Sequence, residues 1–273
     1  MRIFVGFASL GALLWLAQPA LAAPITYDCQ ARMTRVWAIP PPGAGESNPW
    51  QCTAPTGKTP AGVHWLRNSL EYCRLTVNVY DEALAAARRL AKTHRPHRWL
   101  VLMDADETVL DNSLFERERE RCGGKIEDSQ WRNWVKAALA PDVPGAAAFT
   151  QGVHKLGGLV GIVTNRAREQ DDVTKATLKK AGIWFDYEIG MTGDHSDKVE
   201  RWRGAEAALT TKAYGRPIAA MWLGDQVTDL AILDKRGRLV RAMNQADRGD
   251  GIGDHLFLLA NPMYGGWAGN PDK

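Results

Sequence analysis

Residues 99–108 read Trp99-Leu100-Val101-Leu102-Met103-Asp104-Ala105-Asp106-Glu107-Thr108. The first five form a continuous apolar run after Pro96, the pattern of a short strand buried on both faces of a sheet. Two carboxylates follow at once, one residue apart. Similar runs recur at 159–163, 219–223 and 239–242. Stretches with helical character, 170–181 and 198–209, lie between them. Strands alternating with helices predict an α/β fold, a parallel sheet flanked by helices.

In such sheets, functional groups gather where the carboxyl ends of the strands face a common crevice. Asp104-Ala105-Asp106 ends the first strand, Thr164-Asn165-Arg166 the second, and Gly224-Asp225 a later one. The stretch 113–144, with Trp131 and Trp134, is too long for a simple connection and reads as a small, mainly helical cap inserted after the first motif. Upstream, Leu66, Leu70, Cys73, Val77, Tyr80 and Leu84 recur at three- and four-residue steps, predicting one amphipathic helix running to about residue 93. The Pro-, Gly- and Ser-rich stretch 39–62 is expected to run over the surface without regular structure.

The residue types suggest a chemistry. A carboxylate at Asp104 is a competent nucleophile toward phosphorus, and a second at Asp106 can protonate the leaving oxygen and later deprotonate water. Phosphoryl transfer also needs positive charge against the phosphate oxygens. Lys198 supplies one such charge, and Thr164, Asn165 and nearby main-chain amides supply hydrogen bonds. Asp104 and Asp225, with a main-chain carbonyl at the first motif, form an oxygen set suited to Mg²⁺, and Asp229 is placed to orient the metal's waters. Mn²⁺ or Co²⁺ fit the same oxygens. An Asp-x-Asp by itself is a common loop and cap pattern. An EF-hand is excluded, because counting from Asp104 the sixth position is Val109 rather than Gly and the twelfth is Phe115 rather than Glu.

The whole chain sets bounds. It has 273 residues, 45% hydrophobic and 24% charged, with a formal charge of +3. That charge is too small to point to a nucleic-acid polymer. Arg2, the apolar stretch 3–16 and Ala20-Leu21-Ala22 read as a cleaved export signal over residues 1–22. The apolar run falls short of the roughly 20 residues that span a bilayer, so no stable membrane anchor is expected after cleavage. No Cys follows the cleavage point directly to carry a lipid. The expected product is periplasmic or secreted, with an irregular segment at 23–63 and one capped domain at 64–273. Cys29, Cys52, Cys73 and Cys122 would then meet an oxidising compartment and allow three full pairings, of which Cys29 with Cys52 would staple the N-terminal stretch. None has zinc-site spacing. The sequence leaves the oligomeric state open.

The ordered set of Asp104-Ala105-Asp106-Glu107-Thr108, Thr164, Lys198 and Gly224-Asp225 with Asp229 resembles the four motifs of the haloacid-dehalogenase-like (HAD) phosphatases. Longer stretches resemble secreted class B-type acid phosphatases, the group that includes an outer-membrane lipoprotein and plant acid phosphatases. These are 106–112, Val163-Thr164-Asn165-Arg166, Trp65 with Glu71-Tyr72, Trp131 and Trp134 with Pro144-Gly145-Ala146, and Asn261-Pro262-Met263-Tyr264-Gly265 with Trp267. The resemblance implies a Rossmann-like core with a cap, and Mg²⁺ on Asp104, the main-chain carbonyl of Asp106, and Asp225. It also implies hydrolysis of small phosphomonoesters at mildly acid pH. By the same analogy Trp131, Trp134 or Tyr264 would stack on a base or aromatic leaving group. The chain departs from the pattern at Gln226, where Asn is usual, at Gly266, where an acid is usual, and in lacking the lipid-bearing Cys. A phosphatase or phosphotransferase dedicated to one nucleotide or cofactor, or a non-catalytic storage or binding protein on the same scaffold, would share most of these features.

Overall fold

A computed structural model of the chain describes residues 24–34, 58–121, 128–233, 239–241 and 251–271. The export signal at 1–22 and residues 35–57 of the N-terminal segment lie outside the described residues. In chain order the helices and strands are α1 (Cys29–Thr34), α2 (Ala61–Asn68), α3 (Leu70–Thr93), β1 (Trp99–Met103), α4 (Ser113–Arg121), α5 (Asp128–Ala137), α6 (Ala146–Lys155), β2 (Leu159–Ala167), α7 (Asp171–Lys180), β3 (Tyr187–Met191), α8 (Val199–Ala208), β4 (Ile218–Gly224), β5 (Ala231–Leu233), β6 (Leu239–Arg241) and β7 (Leu256–Leu258).

The single helix expected from residue 66 is two helices. Ser69 adopts an extended backbone between them. Its own N–H closes α2 on the Trp65 carbonyl, and its hydroxyl accepts from Tyr72 N at 3.0 Å to open α3, satisfying helix-end groups that would otherwise lack partners. Leu70, expected on the buried stripe, is therefore exposed at the first turn. Cys73, Val77, Tyr80 and Leu84 do form that stripe.

Five parallel strands make the main sheet in the order β3-β2-β1-β4-β7. The side chains of β1 alternate between two apolar layers, since neighbouring strand residues point to opposite faces. Trp99, Val101 and Met103 join Cys73, Val77 and Tyr80 of α3 and Phe149 and Val153 of α6. Leu100 and Leu102 join Trp202 and Ala205 of α8 on the other face. Burying such a side chain stabilises the fold by about 1.5–3 kcal/mol each. The central strand is thus fixed from both sides, and its carboxyl end is held rigidly.

The 239–242 run does not join this sheet. β6 pairs antiparallel with β5 in a separate two-stranded sheet. The free edge of β4 is already taken by β7, with Leu223 opposite Phe257, so β6 pairs with its near neighbour in sequence. The cap stretch contributes α4 and α5, and residues 122–127 lie outside the described residues. Among the described residues no helix is long and apolar enough to cross a membrane.

The N-terminal stretch is more ordered than expected where it is described. α1 lies along α3, which brings Cys29 and Cys73 to a Cα separation of 5.7 Å in a disulfide, within the span such a bond tolerates. Cys29 therefore pairs with Cys73 rather than with Cys52. Cys52 and Cys122 lie outside the described residues.

Candidate active site

Asp104 stands one residue beyond β1, and its N–H is fixed on the Leu223 carbonyl of β4 at 3.0 Å. The chain then folds back on itself. Val109 and Leu110 both donate to the Ala105 carbonyl, and Glu107 N–H reaches the Leu110 carbonyl at 2.8 Å. Glu107 takes a left-handed backbone to close this turn, an unusual conformation for a non-glycine residue. The turn puts the Asp104 and Asp106 side chains into one crevice.

At the end of β4, Gly224 admits the next carboxylates. A Cβ there would stand 2.2 Å from the Cβ of Asp229. Asp225 is held by Asn261 Nδ2 at 2.8 Å and Thr108 Oγ1 at 3.3 Å. Asp229 accepts from Gln226 N at 3.1 Å and from Lys198 Nζ at 2.8 Å. The same ammonium donates to Asp104. Lys198 sits just before α8 and is buried, so one cation joins carboxylates from the ends of two strands.

Asp104, Asp225 and Asp229 each offer an oxygen within 4.8 Å of the others. Burial pushes the Asp104 carboxyl up to about 7 against the pull of Lys198, with Asp229 and Asp106 adding to the rise. Burial, then Asp104 and Asp229, push Asp225 well above the carboxylate range. Burial works to lower the Lys198 ammonium, but Asp104 and Asp229 outweigh it and hold it above its usual value. With one ammonium among three crowded carboxyls, burial and mutual repulsion oppose ionisation, and a hard cation would favour the carboxylate forms. The donors are all oxygen, so the residues fit Mg²⁺.

Asp106 faces a different set of partners. Arg166 grips it with a fork, Nη2 at 2.7 Å from Oδ1 and Nε at 3.0 Å, while Asn112 Nδ2 donates to Oδ1 at 2.8 Å. Neither Arg166 nor Asn112 was assigned a role by the sequence. The position of Arg166 directly after Thr164-Asn165, within a stretch that resembles the family, was a signal that could have singled it out. Asn261, which holds Asp225, had no signal in spacing.

These groups line a cavity of about 250 Å³ that contains Asp104, Asp106, Lys198, Asp225 and Asp229. Trp131, Asn165, Arg166, Gln226 and Tyr264 complete its wall. Asn165 is braced by Arg201 at 2.6 Å, and the Tyr264 hydroxyl meets Glu107. Two expected residues lie elsewhere. Thr164 is buried below the cavity, its hydroxyl accepting from Arg166 N at 3.1 Å. Trp134 is 1% exposed, with its indole N–H on Asn112 Oδ1 at 2.8 Å. It packs against Phe115 in the core, and it is not available to stack on a substrate. A larger hollow of about 670 Å³, lined by His94, His97, Arg98 and Tyr214, opens near the starts of β1 and β4. It contains none of the carboxylates and lies at the end of the sheet remote from this chemistry.

The chain is similar to several known proteins. Over 165 residues the chain is 24% identical to acid phosphatase 1 of Solanum lycopersicum, covering 60% of this chain and 57% of that protein. The chain thus spans little more than half the length of that relative. The structure of the class C acid phosphatase from Bacillus anthracis superposes with a TM-score of 0.63 at 24% identity, covering 76% of this chain and 85% of that one. The same enzyme's crystal structure with tungstate bound gives a TM-score of 0.62 at 23% identity, over the same shares. The family pattern described as HAD superfamily, subfamily IIIB (Acid phosphatase), matches residues 46–267. With its parallel sheet and its carboxylates at the strand ends, the chain belongs to that family.

Proposed function

We propose that the protein is an exported, divalent-metal-dependent phosphomonoesterase that works through an aspartyl-phosphate on Asp104. The observation that carries this reading is the Lys198 ammonium bridging Asp104 and Asp229 in a crevice that Asp106 also faces.

In the first half-reaction an oxygen of Asp104 attacks phosphorus and the bond to the leaving oxygen breaks. Asp106 gives its proton to that oxygen, so an alcohol or phenol departs. In the second half Asp106, now a carboxylate, takes a proton from water, whose oxygen attacks the phosphorus of the acyl-phosphate. Inorganic phosphate leaves and the Asp104 carboxylate is restored. Lys198 balances charge on the transferring group throughout. Asn165 can donate its amide to a phosphate oxygen, and the Thr164 hydroxyl supports the strand end beneath. Asp104, the main-chain carbonyl of Asp106, and Asp225 would hold Mg²⁺, with Asp229 beside them, and Mn²⁺ or Co²⁺ suit the same oxygens. The bound cation would neutralise charge on the phosphoryl oxygens.

Trp131 and Tyr264 line the wall where a leaving group would sit. Their rings suit the flat faces of aryl phosphates and nucleoside monophosphates. Tungstate, the ligand of one similar structure, is a tetrahedral oxyanion of the kind such a crevice would take. The Cys29–Cys73 disulfide fits an oxidising compartment and so an exported protein.

The test is phosphate release from an aryl phosphate and a nucleoside monophosphate at mildly acid pH, with Mg²⁺ or EDTA, beside Asp104→Asn. Turnover that EDTA and the substitution both abolish is expected. Activity that survives Asp104→Asn would contradict the mechanism.

A further inference from the structure

α1 lies ahead of the stretch that matches the family, which begins at residue 46, yet its Arg32 reaches Asp111 in the loop that follows the first motif. The Cys29–Cys73 disulfide and the Ile25 N–H on Asp81 Oδ1 at 2.7 Å pin this segment to α3. Arg32 is buried. Its Nη2 donates to Asp111 Oδ2 at 2.9 Å and its Nη1 to the Leu66 carbonyl at 3.0 Å, with the guanidinium 5.3 Å over the Tyr72 ring.

Asp111 is 1% exposed. Besides Arg32, its side chain accepts from Ser113 N at 2.9 Å, and its own N–H is tied to the Pro141 carbonyl at 2.8 Å. Arg67, on Ser113 Oγ at 3.1 Å, is the next cation nearby. The following residue is Asn112, which donates its side-chain amide to Asp106 at 2.8 Å and its main-chain N–H to Glu107 at 2.9 Å. Arg32, Asp111, Asn112 and Asp106 thus form one connected series, with a buried ion pair at its far end and the acid/base carboxyl at the near end. Removing a partner from a buried ion pair leaves the other charge uncompensated, so the loop has to move to reach water.

We propose that Arg32, delivered by the disulfide-pinned helix, is a positioning residue for Asp106. It holds the 107–112 loop so that Asn112 aims Asp106 at the leaving oxygen. This rests on the reading of Asp106 as the proton donor. An alkoxide leaving group needs that proton far more than a p-nitrophenolate does, so misplacing Asp106 should lower kcat/KM, which ends at departure of the leaving group, selectively for alkyl esters, whereas a loss of folded protein slows all esters alike.

The experiment compares kcat and KM on p-nitrophenyl phosphate and glycerol 2-phosphate for the parent, Arg32→Gln and Arg32→Lys. Lysine keeps the charge but not the fork that spans Asp111 and the Leu66 carbonyl, which keeps the test usable if the Gln variant does not fold. The expected result is a loss in kcat/KM of about 10-fold or more on the alkyl ester against less than about 3-fold on the aryl ester, a part of the 10²–10⁴ that acid/base catalysis supplies. The lysine variant should show the same split at smaller size. Equal losses on both esters, or no loss in either variant, would overturn the positioning role while leaving the catalytic reading intact. A parent inactive on both esters would remove that reading and this inference with it.

Discussion

Asp106 and Arg166 illustrate how much of the site is set by single contacts. The guanidinium reaches Asp106 through two of its nitrogens, a geometry no ammonium can copy. Arg166→Lys is therefore expected to lower kcat by about 10- to 100-fold, within the range of acid/base contributions, while an aryl phosphate still phosphorylates Asp104. Pre-steady-state measurement checks this: a burst of phenol should persist as steady turnover falls. Asp104, Lys198, Asp225 and Asp229 were legible in the sequence because each follows a strand or opens a helix, where an α/β fold gathers its polar groups. Arg166, Asn112 and Asn261 were not, since their roles depend on hydrogen bonds to partners 60, 6 and 36 residues away, which no local spacing encodes. Trp131 and Trp134 were indistinguishable for a related reason. Both fall on the same face of α5 and both pack against Phe115, yet Trp131 borders the cavity while Trp134 is buried in the core.

At the scale of the elements, the close of β4 couples fold to metal binding. Gly224 leaves no room for a side chain beside Asp229, whose Cβ would lie 2.2 Å from an added methyl. Gly224→Ala should push Asp229 from Lys198 and from the other carboxylates. A weakening of about 10-fold in the Mg²⁺ concentration for half-maximal activity is expected, a size typical of disturbed outer-shell partners. Titrating activity with Mg²⁺ measures it. β1, β2 and β4 could be read from their apolar runs because both faces of each are covered. β3 escaped notice because Tyr187-Glu188-Ile189-Gly190 places a carboxylate and a glycine where such a run should continue, and β7 because it has only three residues. The break at Ser69 was hidden by an apolar stripe that runs across both helices with little change of phase.

At the scale of the whole molecule, two buried glutamates favour the acid side. Glu188 is buried on β3, with Lys175 Nζ 3.7 Å away. Burial and then Asp171 push its carboxyl up to about 7, against Lys175 and Arg166. Glu116 is likewise pushed up to about 7 by burial, against Arg119. An unfolded Glu ionises near 4.5, so between about 4.5 and about 7 the native state holds protons that the unfolded state has lost. Stability is then greatest on the acid side and falls as pH climbs through that interval. Thermal melts across this range should show Tm declining with pH, and Glu188→Gln should make the decline shallower. A Tm that rises over the same interval would contradict this assignment. Such a tilt suits an enzyme proposed to work at mildly acid pH.

The central claim is the covalent intermediate. Its most direct test is to quench the protein in acid during turnover of an aryl phosphate with Mg²⁺ and to locate the phosphoryl group by peptide mass spectrometry. The account predicts one phosphoryl group, labile to hydroxylamine, on the peptide that carries Asp104, and none in Asp104→Asn. A phosphoryl group on any other residue, or fast turnover with no trapped phosphoenzyme, would contradict it.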